Sequence, residues 1–358
     1  MTDLAMVPDG GMPWLDGSGP EGPLVLSTRI RLARNLSGHP FLGRNSPEDR
    51  ESIAAELADA ARTMPSLADA TLYRLDTASL TTRRWLNERQ LVSRDLAGLE
   101  PAGMARSGAA LLLGRSVSAM INEEDHMRLQ GLVAGLALDA AYAVTERADR
   151  EFGVRVSFAF HPEFGYLTAC PTNVGTGLRA SVLIHLPALV LTTEITKVLQ
   201  GLAQVGLTYR GLFGEGSEAL GHLFQLSNQV TLGKSEVELI DHLGRLVRQV
   251  IVYEERARAA LRQRGSAQLE DRTWRAWALL RHARTLSFEE TVSLLSGVRL
   301  GVGMKILPDV PLYTLNRLLV LAQTAHVAQS FGVHCDAESI AEHRATMVRR
   351  MFEEVGRQ

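Results

Sequence analysis

The strongest local signal in this sequence is a long predicted helix in the second half of the chain, and the end of this helix divides the chain into two predicted domains. The stretch Ser235-Glu236-Val237-Glu238 is a capping box, in which the serine and the last glutamate each satisfy a backbone N–H group of the other. Apolar residues then follow at helical spacing, namely Val237, Ile240, Leu243, Val247 and Val250. The pattern ends in the polar stretch 262–266, where Gly265 is a helix stop signal, and we therefore place a domain boundary there.

The chain before this boundary mixes strands and helices. Apolar β-formers alternate with arginines from Leu24 to Leu36, and Ala109–Ile121 is apolar and β-prone, so both segments are predicted strands. Residues 47–64 have a helical pattern. The strands are separated by turns and helices without a regular strand–helix–strand alternation. We therefore predict an α+β fold for residues 24–262, with a large antiparallel sheet flanked by helices.

The segments that flank this domain differ from it in composition. Residues 267–358 are helical in pattern, with a second capping box at Ser287–Glu290 and a helix start at Pro311. A small all-helical domain of this kind commonly serves oligomerisation, so we expect a homodimer. Residues 1–23 are rich in Gly, Pro and Asp and are predicted to be a loose N-terminal leader.

The middle of the first domain carries further predicted elements. The pattern turns helical from Glu123 to about Glu151, with Asn122 as its N-cap, and again over Arg179–Val190. Residues 154–170 indicate two strands around a turn at 162–165.

The charge balance and the apolar runs exclude several classes of protein. Lys and Arg number 38 and Asp and Glu number 40, so the net charge is −2, and no basic field recruits nucleic acid or an anionic membrane. No apolar run reaches the roughly 18 uncharged residues that a membrane span requires, and the N-terminus lacks a signal-peptide pattern. Two cysteines, Cys170 and Cys335, do not make a disulfide framework. We expect a cytoplasmic protein.

The first chemically informative pattern is the pair Arg29 and Arg31 in the segment Ser27-Thr28-Arg29-Ile30-Arg31. Residues two apart in a strand point to the same face, so the two guanidinium groups lie side by side. Guanidinium groups match phosphate oxygens in geometry, and the pair therefore has the form of a clamp for a polyphosphate. The structural alternative is a solvated edge strand.

The second pattern is a cluster of acids in the segment Asn122-Glu123-Glu124-Asp125-His126-Met127-Arg128. Three adjacent carboxylates crowd one another, and such crowding can raise a carboxyl pKa towards a range that is useful in catalysis. The structural alternative is a helix start, because Asn122 is a good N-cap and acids in a first turn oppose the positive end of the helix dipole.

The third pattern runs from Cys170 to Arg179 and is predicted as a strand end, a Gly-rich loop and the start of a helix. Such a loop, which here contains Asn173 and Gly175, offers backbone N–H groups to an anion, and Arg179 adds a guanidinium. The structural alternative for Cys170 is a small buried apolar residue.

The fourth pattern is Arg210-Gly211-Leu212-Phe213-Gly214-Glu215-Gly216. Glu215 stands between two glycines, on a loop that is able to move. The structural alternative is an ordinary hairpin turn.

Together the four patterns specify a phosphoryl transfer. Their arginines can neutralise a triphosphate, and two separated carboxylates, those of Glu124 and Glu215, can bracket a planar cation. A guanidinium is such a cation, because it has five donors in one plane and is normally protonated. It becomes a nucleophile only when it is held in line with the γ-phosphorus and sheds a proton, and carboxylates can do both. The arginines and Mg²⁺ supply the positioning and the charge neutralisation that the reaction also needs.

In order and spacing, these segments resemble the ATP:guanidino phosphotransferase (phosphagen kinase) family, and they look closest to its bacterial protein-arginine kinase branch. The resemblance runs from about residue 24 to about residue 250, and more weakly through the C-terminal helices. It implies a large antiparallel sheet with flanking helices, followed by a helical dimerisation module. It also implies that the phosphates of ATP are bound by Arg29, Arg31, Arg128, Arg179 and Arg210.

The same resemblance implies roles for the acids and for the cysteine. Glu124 is expected to be the principal catalytic base and an anchor for the guanidinium, and Glu215 is expected to be the second anchor. Glu123 is expected to hold Mg²⁺ through water. Cys170 is expected beside the guanidinium, with its thiolate favoured by the surrounding positive charge.

The acceptor is expected to be an arginine side chain of a protein. Small-guanidine kinases carry a helical domain ahead of the arginine strand, whereas this strand begins at Leu24, so we expect an open site that admits exposed arginines. Family analogy suggests a Clp-type chaperone–protease and an activator protein as partners, with phosphorylation marking substrates for degradation. A small-molecule guanidine kinase and a non-catalytic adaptor that binds arginine segments are the alternatives.

The sequence departs from the family pattern at three places. Leu183 stands where small-guanidine kinases have a histidine near the nucleotide, and Phe213 stands where they have an arginine. The protein-arginine kinase branch often has an Arg-Asp-x-x-Arg-Ala motif that recognises phosphoarginine. This chain keeps Arg344-Ala345 but has Ile340-Ala341 in place of Arg-Asp, which puts control by phosphoarginine in doubt.

Overall fold

A computed structural model describes residues 12–99, 103–212, 219–332 and 336–355. The strands are β1 (Val25–Arg34), β2 (Thr71–Arg74), β3 (Ala110–Leu113), β4 (Val117–Ile121), β5 (Met127–Ala134), β6 (Phe160–His161), β7 (Gly165–Tyr166), β8 (Leu178–His185), β9 (Leu207–Gly211) and β10 (Leu223–Asn228). Eight of them form one antiparallel sheet in the order β2-β3-β4-β5-β1-β8-β10-β9, and β6 pairs with β7 in a separate hairpin.

Helices flank the sheet and make up the C-terminal part of the chain. They are α1 (Pro47–Arg62), α2 (Leu80–Glu88), α3 (Leu138–Gly153), α4 (Pro187–Leu191), α5 (Ile195–Gln204), α6 (Glu236–Arg264), α7 (Ser266–His282), α8 (Phe288–Gly303), α9 (Leu312–Leu321), α10 (Thr324–Phe331) and α11 (Ala337–Val355). The predicted fold class, a large antiparallel sheet with flanking helices and a helical C-terminal region, is confirmed. No helix in the described parts of the chain is long and apolar enough to cross a membrane.

The central strand β1 gives the sheet two chemically different faces. Ile30 and Leu32 are buried in the main apolar cluster, to which α1, α3 and α6 also contribute. Arg29 and Arg31 project from the opposite face because side chains alternate along a strand. A slip of one residue would move the arginines into the apolar core and expose Ile30 and Leu32. Burial of each such side chain is worth about 1.5–3 kcal/mol, so the register is strongly specified.

The capping signals set the helix starts as predicted. The N–H group of Ser235 donates to Glu238 Oε2 at 2.7 Å, and the N–H group of Glu238 donates to Ser235 Oγ at 3.3 Å. The helix that follows, α6, ends at Arg264 with Gly265 as its C-cap. At the start of α8, Ser287 Oγ accepts a hydrogen bond from the N–H group of Glu290 at 3.0 Å, which is one of the two bonds of the predicted capping box.

Two predicted helices are strands instead. Residues 127–134 of the segment 123–151 form β5, and only its second half is helical; Leu178–His185 forms β8 where a helix over Arg179–Val190 was expected. Both strands lie inside the sheet, and each is largely buried. A buried strand has a short apolar run that periodicity cannot distinguish from a buried helix.

Asn122 is consequently not a helix N-cap. It occupies the turn between β4 and β5 with a φ of 56°, in the left-handed region that asparagine tolerates better than most residues. Its Nδ2 atom donates to the carbonyl oxygens of Arg50 and Gly108, which fixes this turn against α1 and the start of β3.

The described part of the predicted leader is folded rather than loose. Pro13–Asp16 forms a 3-10 turn, and its side chains Trp14 and Leu15 are each only 1% exposed. They pack in a second apolar cluster with residues of α7, α8, α9 and α11. Arg299 of α8 donates to the carbonyl oxygens of Gly22 and Pro23 at 2.8 and 3.2 Å. The Gly- and Pro-rich composition concealed this apolar anchor.

Candidate active site

The register of the sheet gathers the predicted arginines on one face. Arg31 of β1 lies opposite Arg179 of β8 on one side and opposite Gln130 of β5 on the other. Directly opposed residues share a face, and so do residues two apart in one strand. Arg29 and Arg128 therefore lie on this face as well, which brings together arginines from three neighbouring strands.

Gln225 of β10 links two of the arginines. Its Oε1 atom accepts hydrogen bonds from Nη2 of Arg29 at 2.9 Å and from Nη2 of Arg210 at 3.3 Å. On the same strand, Ser227 Oγ accepts a hydrogen bond from Arg179 Nη2 at 3.4 Å. These neutral acceptors orient the guanidinium groups without cancelling their charge. Sequence reasoning missed Gln225, whose one local signal is its two-residue spacing from Ser227.

The arginine cluster carries more positive charge than its surroundings neutralise. Burial, followed by repulsion from Arg210, Arg179 and Arg128, lowers the pKa of Arg29 to about 9. Burial and the same kind of repulsion, led by Arg29, hold the pKa of Arg31 well below its usual range. The Nε atom of Arg31 is buried without a hydrogen-bond partner. A cluster of this kind favours a bound polyanion, which would offset the mutual repulsion.

Two carboxylates meet this cluster at its edge. Arg128 Nη1 lies 2.6 Å from Glu123 Oε2, and Arg128 Nη2 lies 2.7 Å from Glu124 Oε2. The side chain of Glu123 is 6% exposed, whereas that of Glu124 is 45% exposed. Burial lowers the pKa of Arg128, but Glu123 and Glu124 outweigh it, so the pKa lies above its usual value. Of the two carboxylates, Glu124 is therefore the one that can reach a second substrate.

Asp125 joins this turn to the Gly-rich loop instead of crowding the two glutamates. Its Oδ1 atom accepts hydrogen bonds of 2.7 Å from Asn35 Nδ2 and from the N–H group of Ala169. Burial raises the pKa of Asp125. The next residue, His126, accepts a hydrogen bond from the N–H group of Leu36 at 3.0 Å through Nδ1. The carboxylate turn, the end of β1 and the segment before Cys170 thus form one connected unit.

The Gly-rich loop leads into β8 and not into a helix. Its Gly175 N–H group donates to the carbonyl oxygen of Tyr166 at 3.2 Å, and the Asn173 N–H group donates to that of Cys170 at 3.0 Å. Both N–H groups are thus engaged within the protein, and the anion contact expected through them stays a prediction. The partly exposed Cys170 has its Sγ atom 3.0 Å from Thr172 Oγ1.

The buried guanidinium group of Arg34 holds this loop in place. Arg34 Nη1 donates to the carbonyl oxygen of Thr176 at 2.9 Å, and Nη2 forms an ion pair with Asp149 at 2.7 Å. The guanidinium carbon lies 3.5 Å from the centre of the Tyr166 ring. Arg34 therefore fixes the loop to α3, a role that the sequence analysis did not assign.

A cleft of about 540 Å³ lies over the polar face of the sheet. Its lining includes the predicted residues Arg29, Arg31, Arg128, Arg210 and Glu123. It also includes residues that the sequence analysis missed, among them Glu88, Gln90, Arg94, Gln130, Leu212, Gln225, Phe288 and Gln323. The predicted residues Glu124, Cys170, Asn173, Gly175 and Arg179 are not part of this lining. Glu215 and Phe213 lie outside the described residues.

The carboxylates that line the cleft suit a metal ion that is bound mainly by the phosphates of a nucleotide. In the described ranges no three His, Cys, Asp or Glu side chains are grouped so as to hold a metal ion. Mg²⁺ is commonly bound by one or two carboxylates together with phosphates and water. Glu123 suits this arrangement, because it lines the same cleft as Arg31 and Arg128. Its Oε2 atom forms the ion pair with Arg128 and accepts a hydrogen bond from the N–H group of Glu124 at 2.9 Å.

The structure accounts for one departure from the family pattern, Leu183, and for the arginine that the chain keeps from the phosphoarginine motif, Arg344. Leu183 is 5% exposed and packs in the second apolar cluster with Leu26, Leu132 and Leu223. Arg344 is buried, and it donates to the carbonyl oxygens of Ala322 at 2.6 Å and Leu286 at 2.8 Å. Both residues therefore hold the C-terminal helices in place.

A cluster of arginines beside paired carboxylates, on the face of an antiparallel sheet, fits the class of phosphotransferases. The chain belongs to the ATP:guanido phosphotransferase family, whose C-terminal catalytic domain it matches over residues 52–257. Residues 266–358 match the C-terminal domain of the protein-arginine kinase McsB. The chain is therefore an enzyme of a family that transfers phosphoryl groups to guanidino nitrogen.

Relatives of known function are similar over nearly the whole chain. The protein-arginine kinase of Moorella thermoacetica is 43% identical over 95% of this chain and 97% of its own length. That of Brevibacillus brevis is 42% identical over 94% of both chains. The protein-arginine kinase of Bacillus subtilis is 40% identical over 94% of this chain and 92% of its own length.

Solved structures of guanidino kinases share the fold. Lombricine kinase superposes with a TM-score of 0.56 at 25% identity, over 69% of this chain and 71% of its own. The duplicated taurocyamine kinase of Schistosoma mansoni, with bound components of a transition state analogue, gives a TM-score of 0.57 at 30% identity. That match covers 64% of this chain and 33% of the duplicated enzyme, so this chain spans about a third of it.

Proposed function

We propose that this chain is a protein-arginine kinase, which transfers the γ-phosphoryl group of Mg·ATP to the guanidinium of arginine side chains in other proteins. One observation carries the proposal: Arg128, in the arginine cluster, contacts both Glu123 and Glu124 at 2.6 and 2.7 Å. The two carboxylates thus lie at the edge of the arginine cluster that is proposed to bind the phosphates. The similarity to the protein-arginine kinases of Moorella thermoacetica and Bacillus subtilis supports a protein as the acceptor.

The arginine cluster binds the triphosphate. Its members in this role are Arg29, Arg31, Arg128, Arg179 and Arg210. Burial and repulsion from the neighbouring arginines disfavour the charged forms of Arg29 and Arg31 in the free protein, and a triphosphate offsets both effects. Their fixed positions on a rigid sheet place the γ-phosphorus with little further ordering, which is the main requirement of phosphoryl transfer.

Glu124 orients the acceptor arginine and takes its proton. A guanidinium nitrogen forms the bond to the γ-phosphorus, the bond from that phosphorus to the bridging oxygen breaks, and ADP leaves. The proton released by the guanidinium moves to the Glu124 carboxylate. Because Arg128 contacts both this carboxylate and the proposed phosphate site, a bound triphosphate competes for Arg128 and releases Glu124 for the acceptor.

Other residues complete the proposed site. Glu123 holds Mg²⁺ through water, and the ion supplies neutralisation of phosphate charge when it is bound. Glu215 provides the second carboxylate for the acceptor guanidinium. Cys170 stands next to that guanidinium, since Asp125 fixes the segment before it to the carboxylate turn.

The wider roles are also proposals. Residues 24–262 form the catalytic domain and 267–358 a dimerisation domain, and the two family matches, which meet between residues 257 and 266, support this division. The resemblance to protein-arginine kinases supports a cytoplasmic location, an activator protein, and delivery of phosphorylated proteins to a Clp-type chaperone–protease for degradation.

ADP formation with different acceptors tests the proposed function. The full-length chain is incubated with Mg·ATP and either an unfolded arginine-rich protein or free arginine, and ADP is measured. We expect ADP with the protein, little with free arginine, and a loss of at least about 100-fold in Glu124→Gln. ADP with free arginine alone would show a small-molecule guanidine kinase. No ADP with either acceptor, even in cell extract that supplies an activator, would contradict the proposal.

A further inference from the structure

The short hairpin of β6 and β7 exposes two aromatic side chains on the surface of the catalytic domain. Phe160 is 57% exposed and Phe164 is 45% exposed. Single exposed apolar residues are common on protein surfaces, whereas adjacent ones are typical of surfaces that bind other proteins. Aromatic residues in particular are enriched where proteins meet. The hairpin is therefore a candidate surface for a polypeptide partner.

Both rings are held in place before any partner binds. The Phe160 ring packs edge-on against the Tyr166 ring at a centroid distance of 5.3 Å, and the Arg34 guanidinium carbon lies 3.5 Å from the centre of that Tyr166 ring. The Phe164 ring stacks on His161 at a centroid distance of 4.8 Å. Aromatic side chains that are already ordered lose little conformational entropy on binding, which favours affinity.

The hairpin lies directly against the Gly-rich loop that follows Cys170. The N–H group of Tyr166 donates to the carbonyl oxygen of Gly175 at 2.8 Å. Gly165 has a φ of 74°, and a Cβ atom at this position would lie 2.6 Å from the same carbonyl oxygen, so only glycine permits the close approach. The two exposed rings and the loop of the proposed acceptor site thus belong to one surface.

The length of the chain limits how far the rings can lie from the carboxylate turn. Ala169, whose N–H group donates to Asp125 at 2.7 Å, follows Tyr166 by three residues, and Tyr166 pairs with Phe160. At about 3.6 Å per residue and about 5.5 Å between paired strands, the Phe160 backbone lies within about 16 Å of Ala169. An extended polypeptide covers that distance in about five residues.

We propose that the β6–β7 hairpin binds apolar side chains that lie within about five residues of the target arginine in an extended polypeptide, with Phe160 and Phe164 as the contacts. This inference rests on the proposed function, since it takes the acceptor guanidinium to lie beside Glu124 and Cys170. Apolar residues near an arginine are accessible in an unfolded chain and are mostly buried in a folded one. The hairpin thus favours unfolded segments over free arginine and over folded surfaces.

Two fluorescently labelled peptides test this assignment on the full-length chain. Each contains one arginine, which is flanked on both sides at about four residues by leucine in one peptide and by serine in the other. Dissociation constants are measured by fluorescence anisotropy, and kcat/KM for phosphoarginine formation is measured with Mg·ATP. We expect the wild type to favour the leucine peptide about tenfold in both quantities.

The double variant Phe160→Ala and Phe164→Ala is expected to lose this preference and to bind the serine peptide within about twofold of the wild type. Trp274→Ala serves as the matched control, because it removes an exposed aromatic side chain of α7 and is expected to keep the preference. If the double variant does not fold, Phe164→Ala alone is expected to lower the preference about threefold.

Each other outcome has a definite meaning. A wild type without a preference would overturn the inference, and so would an equal loss for both peptides, because the hairpin would then only support the loop at Cys170. A double variant that changes the oligomeric state and neither peptide constant would assign the rings to a contact between copies of the chain, which also overturns it. Selective binding of the leucine peptide by a wild type that forms no phosphoarginine would contradict the proposed function and leave the binding surface in place.

Discussion

The Oδ1 atom of Asp125 accepts a hydrogen bond of 2.7 Å from the backbone N–H group of Ala169. This contact joins the turn that carries Glu123 and Glu124 to the segment that carries Cys170, although 44 positions separate the two partners. Two of the sequence patterns are thereby held in one rigid unit. This carboxyl group thus helps to set the distance between the proposed base and the proposed acceptor site, together with Asn35, which accepts from the N–H group of His126 and donates to the carbonyl oxygen of Leu167.

Removal of the Asp125 carboxyl is expected to lower both stability and turnover. Asp125→Ala leaves the N–H group of Ala169 and one donor of Asn35 without their acceptor, at a cost of about 2–4 kcal/mol in the free energy of unfolding. We expect kcat to fall at least about tenfold, because the carboxylate turn loses its link to the loop. Urea unfolding and initial-rate kinetics provide the measurements.

Asp125→Asn is the matched control for this change. It keeps an oxygen that accepts both hydrogen bonds, so we expect a loss of stability below about 1 kcal/mol and turnover close to the wild type. Equal effects of the alanine and asparagine variants on kcat would show that the contact with Ala169 does not position the site.

The arginine cluster has little negative charge around it. Removal of one of its arginines is therefore expected to stabilise the free protein and to weaken nucleotide binding. Arg31→Met removes a charge whose ionised form burial and Arg29 disfavour, so we expect the free protein to gain about 1 kcal/mol in the free energy of unfolding. The same variant should bind MgADP at least about tenfold more weakly, because one phosphate contact is lost. Thermal unfolding with and without MgADP measures both effects.

A surface arginine gives the comparison for that experiment. Arg62 is 78% exposed in an ion pair with Asp59 on α1, and Arg62→Met is expected to change neither stability nor MgADP binding appreciably. A loss of stability in Arg31→Met as large as that of an ordinary core mutation would contradict our account of the cluster.

Two buried histidines predict sensitivity to acid. Ser296 Oγ lies 2.8 Å from His185 Nε2 and from His222 Nδ1. Burial, reinforced by Arg272, lowers the pKa of His222 to about 4, and burial holds that of His185 well below its usual range. The folded state thus keeps both rings neutral while the unfolded chain protonates them near pH 6.5. The stability they contribute is full above that pH and is lost as the pH falls towards 4.

Urea unfolding at pH 7 and at pH 5 measures this dependence. We expect the free energy of unfolding to fall by about 2 kcal/mol over this interval through His222 alone. His222→Gln removes that titration, and its stability should fall less between the two pH values. An equal fall in the variant and the wild type would exclude His222 as the source.

The fold class and the arginines of the site follow from local sequence signals. The capping box at Ser235 and the alternation around Arg29 and Arg31 each depend on neighbours in sequence, and the structure has both as predicted. β5 and β8 could not be assigned in this way. Their hydrogen bonds and buried faces come from strands distant in sequence, and such tertiary pairing overrides the helical spacing of their apolar residues.

The residues that the sequence analysis missed share one property. Gln225, Glu88, Phe288 and Gln323 come from separate elements and meet only because the C-terminal helices pack over the sheet. None belongs to a motif with a fixed spacing, so no local pattern indicates it. The buried pair Trp14 and Leu15 was missed for a related reason. These two apolar residues lie in a Gly- and Pro-rich segment, and their burial depends on a cluster formed with residues distant in sequence.

Direct detection of the product tests the central claim. An unfolded, arginine-containing protein is incubated with this chain and Mg·ATP, handled at neutral pH because acid hydrolyses a P–N bond, and analysed by mass spectrometry. Our account predicts phosphate on arginine side chains with the wild type and none with Glu124→Gln. Phosphate on serine, threonine or tyrosine alone, or arginine phosphorylation that persists in Glu124→Gln, would contradict it.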